Sequence, residues 1–390
     1  MTAFLALLRE SWLTLRAEKL FRVVLGLNIM VIVAYASLGF DKTGFFIFYG
    51  LWHFENDFLQ AGSAIATTLF LGIYSGFIVS IWLGWIAAIL ALISTSSIFP
   101  TFLSEGSVEL VLSRPPRRST VFFTKYVGGL LWVALQVSVF TIGAFLAAGW
   151  RIGLWDPAIF LAIPLITLFY SFLFCVNVLV GVTTRSTLVA LLATIIFWSG
   201  TFAIRQADDI IDSEIFKAQY RIEQTEHKID AMHEQRAKAM LTDSYDETLQ
   251  IDFELEKLHE QIDHQMESLE TIKPWNNSIV ILRAIVPETS RTIGLLHRSM
   301  ERHSDISFTD LMTGKAFEEN DEPDFNKQNL EDDDDSTRRW RERKQRERAA
   351  IEHAMAREVA VPAWWIITKS LIFEAVILIA AMLIFRRRDF

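Results

Sequence analysis

TFLSEGSVELVLSRPPRRSTVFFTK, residues 101–125, is a charged stretch lodged between two long apolar runs. The uncharged run from Ala66 to Phe99 precedes it, and the apolar run from Tyr126 to Trp150 follows. Each run is long enough to cross a bilayer core of about 30 Å, so the stretch between them must lie at a membrane surface. Arg114, Arg117, Arg118 and Lys125 crowd this short loop, and the positive-inside bias places such a loop in the cytoplasm. Ahead of the bases, Leu103, Val108, Val111 and Leu112 recur at roughly helical spacing among Ser104, Glu105, Ser107 and Glu109. Pro115 and Pro116 then end any helix. The pattern predicts a short amphipathic helix on the cytoplasmic face.

The string SEGSVELVLSRPPRRS, residues 104–119, with Lys125 opening the next span, resembles the loop after the second span in permeases of the ABC type-2 exporter family. That loop usually reads Glu, Gly, Thr, Leu, Glu, two or three leucines, Ser, then Pro and Arg. Glu105, Gly106, Glu109, Leu110, Leu112, Ser113, Pro115 and Arg118 match it, while Ser107 and Val108 stand where the family has Thr and Leu. Pro116 and Arg117 make the end stiffer and more basic. In the family this loop is a coupling helix seated in a cleft of the nucleotide-binding subunit. The resemblance therefore implies an ATPase-coupling surface formed by Glu105, Gly106, Ser107, Glu109, Leu110, Leu112, Ser113, Pro115 and Arg118. It also implies a separate ABC ATPase subunit that carries ATP and Mg, and a second permease copy to complete a homodimer. The competing reading is an ordinary basic loop that only fixes orientation.

Composition agrees with a membrane protein. Of 390 residues 52% are hydrophobic, with 30 Phe and 12 Trp, yet the net charge is -9, so apolar and charged residues must be segregated along the chain. The single cysteine, Cys175, lies inside an apolar run, which excludes an intrachain disulfide and suits a small buried hydrophobe.

From the start of the chain, Phe4, Leu8, Trp12 and Leu15 line one helical face and Arg9, Arg16 and Lys19 another. Residues 1–22 are therefore expected to form an interfacial amphipathic helix lying on the lipid bilayer, not a cleavable signal peptide. The first span is expected at Val23 to Phe40, with the N-terminus inside. Asp41 to Gly62 is thick with aromatics, among them Phe45, Phe46, Tyr49, Trp52 and Phe54, as in a headgroup-level belt. His53, Glu55 and Asp57 alternate there, but three such residues without a second cluster do not make a metal site. Ala66 to Phe99 reads as one extended helix, because two spans would carry the Arg-rich loop to the outside.

Beyond the coupling loop at 100–122, spans are expected at Tyr126 to Ala148, Ala158 to Val182 and Thr187 to Ile204, so that residues 23–204 hold five crossings. Arg151 and Asp156 mark the outer turn and Arg185 the inner one. Asn28, Gln136 and Asn177 are the strongly polar groups within these spans. Carriers driven by protons or sodium ions need buried carboxylates or broken helices at mid-membrane, so the scarcity of such groups argues for an external energy source.

Residues 205–361 change character and are expected to form a helical extracytoplasmic insert. Ile215, Ile222 and Ile229 repeat at seven, and Ile251, Leu255, Leu258, Ile262 and Leu269 alternate by four and three. The break at LTDSYDE, with Ser244 and Glu247 at capping-box spacing, predicts an antiparallel coiled-coil hairpin that meets a partner, meets the twin subunit or packs on its own domain. After Pro274, the apolar patch Ile279 to Leu296 is interrupted by Pro287 and two arginines and is expected at the base of the outer domain. The acidic run from Phe317 to Asp335 reads as a solvated loop and Ser336 to Glu358 as a charged helix. The bases from Arg338 to Arg348 oppose an outer location, although large domains cross largely regardless of charge.

Residues 362–390 supply the last span, Trp364 to Phe385, and a cytoplasmic tail. Within it Lys369 and Glu374 are intramembrane charges: Lys369 can snorkel outward, while Glu374 lies deeper and needs a partner. No GxxxxGK[ST], HExxH or GxSxG occurs, so catalysis within this chain is not expected and no cofactor is assigned to it. The whole is an all-α, multi-pass membrane protein of about six transmembrane helices with both termini cytoplasmic, in a plasma membrane of bacterial inner-membrane type. By the family resemblance it is the permease of an ATP-driven export system, and the loop with the closing FRRRDF is similar to permeases of nitrous-oxide-reductase maturation and gliding systems, whose outer segments are smaller. A mechanotransmitting membrane subunit acting on an extracytoplasmic protein partner, or a membrane-anchored scaffold or sensor, are the alternatives; nothing suggests nucleic acid.

Overall fold

The computed structural model describes residues 19–55, 59–104, 118–241, 245–301 and 335–387. The expected interfacial helix thus falls almost wholly outside the described residues, as do residues 105–117 of the coupling loop, Ser244 at the hairpin tip and nearly all of the acidic run. Five helices are long and apolar enough to cross a membrane, and the protein is a multi-pass, predominantly helical membrane protein.

The chain divides into two compact units. The first comprises Met1–Phe202, Val286–Asp321 and Val361–Phe390, and the second Ala203–Ile285 and Glu322–Ala360. In the first unit α1 (Lys19–Ala36) is shorter than the expected span, with an apolar part, Arg22–Ala36, below the length of the other five. It stops because the chain turns into a sheet that the sequence reading placed only as an aromatic belt. Strands β1 (Gly39–Asp41), β2 (Gly44–Ile47) and β3 (Trp52–Glu55) form an antiparallel meander, so the chain is not purely α. Asp41 pairs with Gly44 across a two-residue turn, and Phe45 opposite Phe54 stacks its ring at 4.9 Å. Gly39 admits the Phe46 ring against its backbone, where a Cβ would collide.

Helix α2 (Ala64–Leu103) forms one candidate span, with a turn at residues 96–97 ahead of its last helical piece, which starts at Ile98. Ser63 caps it by accepting from the Ala66 amide at 3.1 Å. Its central stretch, Ile73–Ala87, is π-helical. There the buried positions Tyr74, Ile78, Val79 and Leu83 recur at four to five residues, and the tighter spacing of Ala88, Ala91 and Leu92 returns with the α-helix.

Helix α3 (Arg118–Ile152), a 3-10 turn at Pro157–Leu161 and α4 (Ala162–Thr184) follow, and α5 (Thr187–Leu241) starts in this unit. Helix α4 is the axis: it packs against α2, α3, α7 (Thr289–Glu301) and α9 (Ala363–Arg387). Its residues Phe169, Tyr170, Phe172, Leu173, Phe174 and Cys175 are at most 1% exposed. The outward faces of these helices stay apolar, with Leu146, Leu188, Ile196 and Ile372 more than half exposed, as lipid-facing helices require.

The second unit holds the remainder of α5, α6 (Tyr245–Ile285) and α8 (Asp335–Ala360). Ile229 and Ala239 of α5 share an apolar cluster with Ile251 and Leu255 of α6, and Arg236 pairs with Asp252. Helix α6 continues through Pro274 to Ile285. At the other end of the unit, Asp208 is fully buried and binds Arg283 at 3.0 Å and Arg357 at 3.3 Å, joining α5, α6 and α8. Arg357 also reaches Asp212 at 3.1 Å, and His353 stacks on Phe216.

Helix α7 departs from its expected place. The sequence reading groups it with the outer insert, whereas it belongs to the first unit, with Thr289, Arg291, Thr292, Leu296 and Met300 buried. Pro287 is the reason for the break: it parts α6 from α7.

Candidate functional site

Inside the first unit, α9 presents Lys369, Ser370, Phe373 and Glu374 along one face, since residues four apart are neighbours on a helix. Ser370 and Glu374 are buried. A carboxylate taken out of water needs donors, and Glu374 finds two hydroxyls. Tyr126 of α3 donates to its Oε1 at 2.6 Å, and Ser171 of α4 donates to its Oε2 at 2.8 Å. The Tyr126 ring is fixed by stacking on Phe174 at 5.2 Å, and Phe174 stacks in turn on Tyr170. Glu374 therefore pins three helices together, and Cys175 lies one turn beyond Ser171 with its thiol donating to the Phe172 carbonyl.

Lys369 does not pair with Glu374. Its Nζ lies 2.8 Å from Oε1 of Glu288, at the N-terminus of α7, where an acid also complements the helix dipole. The Glu288 amide donates to Ser370 Oγ at 3.0 Å, and the buried Arg291 brings Nη1 to 3.8 Å from Oε2. Two cations and two carboxylates thus gather along one face of α9, formally balanced. Glu288 and Arg291 escape the sequence reading because their neighbours are polar. The signal present was the helical spacing of Leu295, Leu296 and Met300 directly after Pro287.

The intramembrane amides separate into two settings. Trp82 donates to Asn28 Oδ1 at 2.8 Å, and Asn177 donates to Thr194 at 3.3 Å. The amide nitrogens of Asn28 and Gln136 find no acceptor among the described residues, and both side chains line a cavity of about 20 Å³ beside Tyr170. That space matches one water molecule, which those two donors would hold.

Of the residues expected to couple to an ATPase, Glu105, Gly106, Ser107, Glu109, Leu110, Leu112, Ser113 and Pro115 lie outside the described residues, and Arg118 is within them. The loop's two roots are ordered against α9. Arg118 donates to the Arg386 carbonyl at 3.2 Å, Lys125 sits 5.4 Å from the Phe102 ring centre, and Phe385 packs against both Phe102 and Phe122. Arg118, Lys125, Arg386 and Arg387 are thereby collected at one end of the unit. At the other end of α3, Arg151 lies over the rings of Phe46, Tyr49 and Trp150 and donates to the Ala36 carbonyl, holding the sheet to α1.

No family model, curated protein or solved structure matches the chain. Among the described residues no three His, Cys, Asp or Glu side chains converge as metal ligands; His53 instead meets the Thr43 hydroxyl at 2.9 Å. The buried charges of α9 are each met by hydroxyls or by opposite charge. Such an arrangement fixes helix positions, and it can change only if those helices move together.

Proposed function

We propose that this chain is the membrane-spanning permease subunit of an ATP-driven ABC export system. It takes mechanical input from a separate ATPase at residues 105–118 and passes it to the bundle. The observation that carries this reading is the string at 104–119, set between helices α2 and α3 that are each long enough to cross a bilayer. The packing of Arg118, Phe102 and Phe122 against the end of α9 supports it, because a push on the loop would reach that helix directly.

Counting Arg22–Ala36 with the five longer helices makes six crossings. Its 15 residues rise about 22 Å, and thinning of the bilayer or tilting of the aromatic flank absorbs the shortfall. Both termini and the coupling loop are then cytoplasmic, and the second unit is extracytoplasmic, in a plasma membrane of bacterial inner-membrane type. ATP and Mg bind the partner ATPase, and two permease copies form the dimer.

The length of α5 and α6 also suits the alternative output, mechanical work on an extracytoplasmic partner. A 55-residue helix that begins among the spans and continues into the second unit, with an apolar cluster joining it to α6, is a lever suited to an extracytoplasmic protein partner. The antiparallel coiled-coil hairpin is the element proposed to contact it.

The reading is tested by affinity purification of the tagged chain from its host membrane. An ATPase is expected to co-purify from wild type and to be lost from the Glu105→Lys/Glu109→Lys variant, while expression and membrane insertion stay unchanged. Retention of the ATPase in that variant, or its absence from wild type, would refute coupling at this loop. Reconstituted vesicles that hydrolyse ATP without moving solute would assign the output to mechanical work.

A further inference from the structure

The second unit contains a polar chamber that the permease reading does not use. It measures about 370 Å³, within the range of about 300–1,000 Å³ typical of small-molecule sites. Three helices line it. On α5, Tyr220, Arg221, Gln224, Thr225 and Lys228 recur along one face, Gln261 and Gln265 stand one turn apart on α6, and α8 adds Gln345 and Arg346.

The chemistry of this lining is one-sided. Arg221, Lys228 and Arg346 are cationic, no carboxylate among the described residues lines the space, and the other groups are amides or hydroxyls. The Arg221 guanidinium is anchored through Nε to the Lys217 carbonyl at 3.3 Å, which orients it. Independently, Gln265 Oε1 is buried and accepts no hydrogen bond among the described residues. A buried acceptor without a donor costs free energy, and a ligand hydroxyl in the chamber would relieve it. The exposed Gln224, Lys228, Gln261 and Gln345 leave a way in from solvent.

We infer that this chamber binds a small hydroxylated anion, a sugar phosphate or sugar acid. Its negative group would meet Arg221, Lys228 and Arg346, and its hydroxyls would be read by Gln265 and the other amides. Guanidinium groups suit carboxylate and phosphate oxygens, and glutamine offers both donor and acceptor to hydroxyls. The inference stands apart from the question of an ATPase partner.

Calorimetry on the full-length protein in nanodiscs tests it with four probes: glucose 6-phosphate, gluconate, glucose and inorganic phosphate. At least one of the first two should bind tenfold or more tightly than both glucose and inorganic phosphate, with an affinity that falls as salt rises. Arg221→Gln should weaken that binding about tenfold, as loss of a charge-assisted hydrogen bond predicts. Gln265→Leu should weaken it about fivefold and narrow its preference over inorganic phosphate by the same factor. Whichever of the two anions binds identifies the acid group. Binding by neither, equal binding of inorganic phosphate by the wild-type protein, or unchanged affinity in Gln265→Leu would overturn the assignment. Thermal midpoints of both variants show that the unit is folded, and Gln265→Leu decides alone should Arg221→Gln unfold.

Discussion

At Glu374 the two partners of one hydrogen bond are not equivalent, and that asymmetry can be measured. If Glu374 becomes Leu, both hydroxyls keep carbonyl acceptors, since Tyr126 lies 3.2 Å from the Ser171 carbonyl and Ser171 lies 2.8 Å from that of Leu168. If Tyr126 becomes Phe, a buried carboxylate is left with one donor, which costs about 1–3 kcal/mol. Tyr126→Phe should therefore lower the unfolding midpoint more than Glu374→Leu, and the double variant should recover part of the loss. Equal effects from the two single changes would show that Glu374 is held by something else. Glycine spacing offers a second contrast. A Cβ at Gly129 would come within 2.8 Å of the Phe174 ring, which is clamped between Tyr126 and Tyr170, whereas Gly200 on α5 has nothing within 4 Å. Gly129→Ala should destabilise by about 1–3 kcal/mol through overpacking. Gly200→Ala should stabilise by up to about 1 kcal/mol by removing backbone freedom from a helix. Opposite shifts in midpoint are the expected result.

Among the elements, α7 depends most on charge. Arg291 is 2% exposed and Lys369 reaches the same carboxylate, so Glu288→Gln removes the charge that both cations face, at a cost of about 3–5 kcal/mol. Lys369→Met should be milder, because Glu288 keeps Arg291. Amide hydrogen exchange across 289–301 should accelerate sharply in the first variant and modestly in the second; slow exchange in both would mean that apolar packing alone seats the helix. This element also shows where sequence reasoning stops. The long spans are legible because an uncharged run has one solution in lipid, and α8 is legible from its alternating acids and bases. Helix α7 carries Arg291, Thr289 and Thr292 inward, a pattern that in isolation describes a surface helix. Only its neighbours reverse that meaning. The β1–β3 meander is hidden for a different reason: Phe45, Phe46 and Phe48 suit an interfacial belt as well as a strand, and the deciding contact, the Phe46 ring on Gly39, lies across a turn. Pro274 misleads in the same way, since α6 accepts it without ending. Of the site itself, Glu374 and Lys369 are visible as lone charges in an apolar run, while their partners depend on three other helices and are not.

For the molecule as a whole, two basic signals compete for the cytoplasmic side. One is the group at Arg118, Lys125, Arg386 and Arg387, all within reach of the ends of membrane helices, where positive charge governs orientation most strongly. The other is α8, rich in Arg within a long segment, a context in which charge counts for less. If the first signal prevails, the second unit is extracytoplasmic. Residues 242–244 report on this directly, because Leu241 and Tyr245 on either side of them are 89% and 79% exposed. The native Cys175 is buried in α4 and will not compete for a thiol reagent. A Ser244→Cys variant should therefore react with a membrane-impermeant maleimide on intact spheroplasts, and lysis should add little signal. Labelling that appears only after lysis would place the second unit in the cytoplasm and carry residues 105–118, three crossings away in the proposed order, out of reach of any ATPase.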